Sequence, residues 1–202
     1  MSLRKVFLSL SFISVLGGCA SSQGFGELAS VHNNLNHVPY VEDDKNYGME
    51  EYLATPDEFM KNGGDCEDYS IAKYHELRKR GYPAEDMWVV MGHERGKGHA
   101  VLIVEVGERT MVLDNNKKHI YPLSRSRLRP AYRMNETGVF AYKDGEFDSE
   151  MRIANLPEFY VEQIERAFAT SEGLPITRSF QQEEKPDAQN DNINTATSSI
   201  LH

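Results

Sequence analysis

The sequence predicts an α+β fold in which a helix that carries a lone cysteine packs on a small antiparallel sheet. Two helical segments with clear start and stop signals lie at 55–62 and 65–80. Strand-like segments joined by short turns follow between residues 87 and 142, and a last helix is indicated at 156–169. The chain has 202 residues, of which 40% are apolar, so a single domain with a real core is expected.

The first helix has a complete start signal. Thr55 is a suitable N-cap, Pro56 fits the first helical position, and Glu58 completes a capping box. The Asn62-Gly63-Gly64 segment then ends the helix.

The second helix begins at Asp65 or Cys66 and ends near Arg80, before the Gly81-Tyr82-Pro83 segment. Cys66 therefore lies in the first turn, where unpaired N–H groups favour a negative charge. The chain has only one other cysteine, Cys19, which belongs to the N-terminal region. If the protein is exported to an oxidising compartment, as its N-terminus indicates, a cysteine without a disulfide partner is either buried and inert or functional.

The middle of the chain is rich in valine, isoleucine and aromatic residues. Gly107-Glu108 fits a two-residue hairpin turn, because a type II′ turn prefers glycine first. A polar, glycine-rich loop is predicted at 93–98. The predicted strands are 87–91, 99–106, 109–114, 120–123 and one or two within 129–142, including 139–142.

The N-terminus has the features of an export signal. A short basic region precedes an apolar run at 6–16, which predicts a signal peptide over residues 1–18. Leu16-Gly17-Gly18-Cys19 resembles a bacterial lipobox, so we expect lipidation of Cys19; a plain signal peptide that contains a cysteine is the alternative. Ala20 after this cysteine indicates the outer membrane rather than the inner one, on the periplasmic side.

The rest of the chain divides into three parts. Residues 19–42 are small, polar and glycine-containing, which predicts a tether. Residues 43–170 form the predicted domain, and its last helix, at 156–169, is capped by Asn155. Residues 171–202 are polar without apolar periodicity, which predicts a disordered tail.

The charge balance excludes some functions. Acidic residues outnumber basic ones by 31 to 22, so the formal charge is −9, and we expect no nucleic-acid partner. No run of 18 apolar residues occurs, so no transmembrane helix is predicted.

Three residues form a candidate catalytic set: Cys66, His99 and Asp114. A thiolate is the nucleophilic form of cysteine, an imidazole can take the thiol proton, and a carboxylate can hold that imidazole in the useful tautomer. His93, in the predicted loop, is the competing candidate for the base.

The predicted hairpin gives this set a geometric check. With Gly107-Glu108 as the turn, Val101 opposes Asp114, and His99 lies two residues along on the same face. His99 and Asp114 are then diagonal neighbours, about 7–8 Å apart at Cα. A turn with an odd number of residues would move Asp114 to the other face.

Acidic residues surround the candidate nucleophile. Asp65, Glu67 and Asp68 suit the first turn of a helix, but three carboxylates beside a thiol oppose its ionisation. A bound cation would remove this conflict, and oxygen ligands favour calcium or magnesium over zinc. We therefore treat these three residues as candidate metal ligands, with calcium favoured outside the cytoplasm.

The segment 63–74, Gly-Gly-Asp-Cys-Glu-Asp-Tyr-Ser-Ile-Ala-Lys-Tyr, resembles the nucleophile segment of the bacterial transglutaminase-like cysteine peptidases of the LapG type. Segments 98–102 and 112–115 resemble the histidine and aspartate segments of that family, and 54–56 resembles the helix start before them. The resemblance covers about residues 45–142. It implies a papain-like, transglutaminase-like fold, a Cys66–His99–Asp114 triad, and calcium dependence with Asp65 and Glu67 as ligands.

The resemblance also implies a biological role. LapG-type enzymes cleave large surface adhesins in the periplasm, which releases biofilm, and an inner-membrane cyclic-di-GMP receptor holds them inactive. Two features depart from the family pattern: Leu53 stands where relatives tend to have tryptophan, and a lipid anchor is unusual.

Two other functions remain open at this stage. Papain-like lipoproteins include cell-wall peptide hydrolases, but their nucleophile motif reads Asp-Cys-Ser-Gly, whereas Glu67-Asp68 follow the cysteine here. A non-catalytic binding module with the same fold is the second alternative, and the intact candidate triad argues against it.

Overall fold

The computed structural model describes residues 20–152 and 156–169. Within these ranges, no helix is long and apolar enough to cross a bilayer. The helices are α1 (Ala20–Leu35), α2 (Asp43–Asn46), α3 (Pro56–Asn62), α4 (Cys66–Lys79) and α5 (Glu158–Phe168), with short 3-10 turns at Ala84–Asp86 and Leu123–Arg125.

One antiparallel sheet of seven strands runs through the domain, in the order β4-β3-β2-β1-β5-β6-β7. Consecutive strands pair as hairpins except where β5 joins β1, so the chain fills one side of β1 before it crosses to the other side. The strands are β1 (Met87–Glu94), β2 (Lys97–Val106), β3 (Arg109–Leu113), β4 (Tyr121–Pro122), β5 (Arg129–Asn135), β6 (Gly138–Lys143) and β7 (Glu146–Arg152).

The main core lies between one face of this sheet and helices α1, α4 and α5. Alternate residues of a strand point to the same face, so Leu102 and Val104 of β2 enter this core while Val101 enters a smaller cluster on the other face. Helix α4 contributes Ile71, Tyr74 and Leu77, which are fully buried. The α+β prediction, with the cysteine-bearing helix packed on an antiparallel sheet, is confirmed.

The position of α4 is set by the helix and turn that precede it. The capping box predicted for α3 is present, since Thr55 accepts from the Glu58 N–H and the Glu58 carboxylate accepts from the Thr55 N–H. Gly63 then takes a φ of +78°, and a side chain there would collide with the Pro39 carbonyl. A parallel bridge between Tyr40 and Gly64 ties this turn to the preceding chain.

The predicted tether is wrong for the described residues 20–42. Residues 20–35 form α1, and Leu28 and Val31 are buried in the main core. The small and glycine-rich composition concealed this helix, because its stability comes from burying an apolar stripe rather than from helix propensity. The predicted signal peptide, Cys19 and the tail at 171–202 lie outside the described residues.

Two further boundaries differ from the predictions. The predicted loop 93–98 is a tight hairpin, in which β1 extends to Glu94 and β2 begins at Lys97. Arg95 and Gly96 both have positive φ, as a two-residue type I′ turn requires. The last helix begins at Glu158, with Pro157 as its N-cap residue, and the predicted cap Asn155 lies outside the described ranges.

Candidate active site

Cys66 is the first residue of α4 and is partly buried. Its thiol lies in contact with the neighbouring acid, since Sγ donates to Glu67 Oε2 at 3.1 Å. The N–H groups of the first helical turn point toward this end of α4 and carry partial positive charge. The sequence prediction that Cys66 opens a helix is therefore confirmed.

The hairpin brings His99 and Asp114 together, as predicted from the even number of residues in its turn. In the register of β2 and β3, Val106 pairs with Arg109 and Leu102 with Leu113. His99 Nε2 and Asp114 Oδ1 are 3.0 Å apart, and both side chains are buried. The two-residue turn at Gly107-Glu108 thus keeps the two side chains on one face of the sheet.

Asp114 is held by three donors. Oδ1 also accepts from the Asn116 N–H at 2.8 Å, and Oδ2 accepts from the Tyr121 hydroxyl at 3.0 Å. Burial by itself raises the pKa of this carboxyl, but the hydrogen bond from His99 and the other two donors lower it below its usual value. Asp114 is therefore an oriented, ionised acceptor for the His99 ring.

A single cleft exposes the thiol and the imidazole to substrate. Cys66 and His99 both line it, with Tyr132 and Tyr160 forming part of its wall. Asp114 occupies Nε2 of His99, which leaves Nδ1 as the nitrogen available for the thiol proton. His93 also lines the cleft, but it is exposed and has no carboxylate partner among the described residues, so His99 is the better candidate for the base.

The acidic flank suppresses ionisation of the thiol, as the sequence suggested. Burial raises the pKa of the Cys66 thiol, and the charges of Glu67 and Asp65 raise it further. Burial and neighbouring acids likewise raise the pKa of the Asp65 carboxyl, and burial raises that of Glu67. With these acids uncompensated, the thiol stays protonated at neutral pH.

Asp43, which sequence reasoning missed, completes the acidic cluster. Ligand atoms of Asp43, Asp65 and Asp68 lie within 4.8 Å of one another, and so do those of Asp43, Glu51 and Glu67. Asp43 is 2% exposed, and burial together with Asp65 raises its pKa to about 7. The pKa of Asp68 is raised to about 8 by burial and Asp65.

The cluster has the properties of a site for a hard cation. Asp43 Oδ1 and Asp65 Oδ1 are buried and have no hydrogen-bond partner within the described part of the chain. No lysine or arginine of the described residues forms a salt bridge with any of the clustered acids. Unpaired buried carboxylates that converge on one point match the oxygen ligands that calcium takes.

The three predicted metal ligands differ in how many of their oxygens are already hydrogen-bonded. Asp68 Oδ1 accepts from the Ala54 N–H at 2.8 Å, and Oδ2 accepts from the Asp65 N–H at 3.3 Å. Both Asp68 oxygens thus accept backbone N–H groups, and one of these bonds caps α4. Asp65 and the newly found Asp43 each have an oxygen without a partner in the described structure, and Glu67 accepts from the Cys66 thiol. The signal for Asp43 was weak, because it precedes Asp65 by 22 residues and only the fold brings the two together.

Comparisons with known proteins find a matching family and similar solved structures. The family described as bacterial transglutaminase-like cysteine proteinase, BTLCP, matches residues 19–137. The solved structure of calcium-bound Legionella pneumophila LapG is 28% identical with a TM-score of 0.54, covering 61% of this chain and 72% of that one. The EGTA-treated form gives 28%, 0.53, 61% and 71%. A search of curated proteins finds no match.

Proposed function

Because the chain belongs to the bacterial transglutaminase-like cysteine proteinases and is thus a papain-like cysteine peptidase, we propose that it is a calcium-dependent endopeptidase with a Cys66–His99–Asp114 triad. The observation that carries the triad is the buried 3.0 Å hydrogen bond from His99 to Asp114, beside a cleft that Cys66 also lines.

Each triad residue has a defined step. His99 Nδ1 takes the thiol proton as the Cys66 sulfur attacks the scissile carbonyl carbon, and a tetrahedral oxyanion forms. The Cys66 N–H at the start of α4 is a candidate donor to that oxyanion. The imidazolium then protonates the leaving amine, which leaves an acyl-thioester. Water, deprotonated by His99, hydrolyses the thioester and restores the thiol. Asp114 holds the ring throughout.

The acidic cluster supports the proposed calcium dependence. Asp43, Asp65 and Glu67 are the residues that would hold the ion, and Asp68 would adjoin it. Bound calcium would supply positive charge beside the thiol. Engaged as a ligand, Glu67 would no longer accept the hydrogen bond from the Cys66 thiol, which would leave His99 as the acceptor of its proton. The printed descriptions of the Legionella LapG structures, calcium-bound and EGTA-treated, support this assignment.

The substrate, regulator and location are proposed from the family resemblance and the N-terminal sequence. The substrate is a large surface adhesin whose cleavage controls biofilm attachment. The regulator is an inner-membrane cyclic-di-GMP receptor. The lipobox-like segment ending at Cys19 would anchor the enzyme in the periplasm, on the outer membrane in preference to the inner one.

Substitution of the triad tests the chemistry. Cys66→Ala and His99→Ala should each abolish release of surface protein from cells while the purified variants keep the wild-type circular dichroism spectrum. His93→Ala is the matched control, since His93 lines the same cleft without a carboxylate partner in the described structure, and it should retain cleavage. Normal cleavage by Cys66→Ala would sink the peptidase assignment.

The identity of the released material tests the substrate. Mass spectrometry of the culture medium should show an adhesin fragment that is present with the wild type and absent with Cys66→Ala. Release of muropeptides in place of a protein fragment would transfer the assignment to cell-wall peptide hydrolysis. Wild-type binding of an adhesin peptide without cleavage would point to the binding-module alternative.

A further inference from the structure

The last helix, α5, holds the short segment that precedes α3 through two side chains. Gln163 is 5% exposed, and its Oε1 accepts from the Leu53 N–H at 2.8 Å in a buried hydrogen bond. Arg166 donates from Nη2 to the Leu53 carbonyl oxygen, also at 2.8 Å. Both backbone groups of Leu53 are therefore satisfied by α5, as buried backbone groups outside regular secondary structure require.

The N–H groups on either side of Leu53 point the other way, toward the acidic cluster. The Tyr52 N–H donates to Asp43 Oδ2 at 2.6 Å, and the Ala54 N–H donates to Asp68 Oδ1 at 2.8 Å. Three consecutive N–H groups thus bind a carboxylate, α5 and a second carboxylate in turn. The segment 52–54 therefore connects α5 directly to two acids of the cluster.

The segment fixes the direction in which these acids present their oxygens. Asp43 shows the effect, because Oδ2 accepts from the Tyr52 N–H while Oδ1 is buried without a partner in the described structure. Glu51, whose ligand oxygen lies within 4.8 Å of those of Asp43 and Glu67, directly precedes Tyr52 and depends on the same segment for its place. Carboxylates that ligate a metal are commonly oriented by hydrogen bonds of this kind.

Stabilisation of α3 does not account for these contacts. Arg166 also pairs with Glu58 of the α3 capping box, with Nη1 2.8 Å from Oε2, and its guanidinium lies 4.4 Å from the centre of the Tyr52 ring. The two side chains of that ion pair are 35% and 33% exposed, so the pair itself adds little stability. The hydrogen bonds to Leu53 do not involve α3 at all.

We propose that Gln163 and Arg166 are positioning residues for the cation site: by holding Leu53, they place the N–H groups that orient the acidic cluster. The inference rests on the proposed calcium dependence and adds that α5, with Gln163 110 residues beyond Leu53, is needed for tight binding. Without these contacts, the carboxylates would have to be ordered at the moment the cation binds. That ordering cost lowers the affinity.

Isothermal titration calorimetry of the full-length chain with calcium chloride tests the role of Gln163. Gln163→Met keeps a side chain of similar length and removes the acceptor for the Leu53 N–H. It should raise the calcium Kd about tenfold, the lower end of the effect of losing a partner of a metal ligand, because Gln163 acts through the Leu53 backbone. Ile164→Met is a buried control on the same helix that removes no hydrogen bond, and it should leave the Kd unchanged.

Arg166→Lys is a second, milder variant. Lysine keeps the positive charge but cannot reproduce the planar set of donors that reaches both Glu58 and the Leu53 carbonyl. The calcium Kd should therefore rise, by less than in Gln163→Met. Arg80→Lys is the matched control, since Arg80 forms a half-exposed ion pair with Glu76 away from the cluster, and it should bind calcium as the wild type does. If Gln163→Met does not fold, this pair of variants decides.

Thermal unfolding separates positioning from simple stabilisation. A positioning role reduces the rise in Tm that calcium produces, because the ion stabilises only in proportion to its affinity for the folded state. Equal losses of Tm with and without calcium, together with an unchanged Kd, overturn the inference. A wild type that binds no calcium overturns the proposed calcium dependence as well, whereas variants that bind as tightly as a calcium-binding wild type overturn only the role of α5.

Discussion

The acidic cluster predicts that calcium stabilises this protein more strongly as the pH rises. Asp43 and Asp68 have folded-state pKa values of about 7 and about 8, against an ordinary value of 3.8. A carboxyl whose pKa is raised by folding contributes stability below its unfolded pKa, and this contribution is lost as the pH rises through its folded pKa. The calcium-free protein therefore loses stability between about pH 4 and pH 8.

The magnitude follows from these shifts. Between pH 5.5 and pH 8, linkage gives a loss of about 2 kcal/mol for Asp43 and about 3 kcal/mol for Asp68. Because the acids of the cluster interact with each other, these losses are not additive, and we expect about 2–3 kcal/mol in total. In a chain of this size that corresponds to a change in Tm of about 5–10 °C. A bound divalent cation offsets the loss.

Differential scanning fluorimetry of calcium-saturated and calcium-free protein provides the assay. The difference in Tm between the two forms should widen by about 5–10 °C from pH 5.5 to pH 8. Burial lowers the pKa values of His32 and Lys73, so their contribution to stability changes with pH in the opposite direction. Because this contribution is the same with and without calcium, it cancels in the difference between the two Tm values. Asp43→Asn should reduce the widening, whereas Asp44→Asn, at an exposed neighbour, should not. A constant or narrowing difference would refute the reasoning.

Three other substitutions test separate parts of the structure. Asp114→Asn should keep the fold but lower kcat by about 10²–10⁴, because the amide holds His99 in the wrong tautomer; an unchanged kcat would exclude Asp114 from the triad. Leu28→Ala should lower the free energy of unfolding by about 2–5 kcal/mol in urea denaturation. Ser30→Ala, on the exposed side of α1, should have little effect. Equal stability of the two variants would mean that α1 is not part of the core. Gly92→Ala should destabilise by about 1–3 kcal/mol, because its Cβ would collide with the Arg129 carbonyl, whereas Gly98→Ala, in open space, should not.

Sequence reasoning succeeded where the signal is local. The capping box of Thr55 and Glu58 fixes the start of α3, and the break at Gly63 ends that helix just before Cys66 opens α4. These signals act over three or four residues, through backbone groups that the same short segment must satisfy. They do not depend on what packs against the helix.

The pairing of His99 with Asp114 was also predictable although it is long-range, because it depends only on whether the hairpin turn has an even number of residues. A two-residue turn at Gly107-Glu108 forces residues whose numbers sum to 215 to face each other, so the alternation of side chains brings His99 and Asp114 to one face. The hydrogen bond between them follows from that register without knowledge of the rest of the fold.

The sequence by itself therefore determined the nucleophile helix and the hairpin that carries its two partners. Only the tertiary structure decided that α1 belongs to the domain, that Asp43 joins Asp65 in the acidic cluster, and that Lys73 is fully buried. The physical reason is that these three features arise from burial between segments that are distant along the chain. A polar or glycine-rich segment can become part of the core when it packs against an apolar face, and the local sequence does not indicate which face that will be.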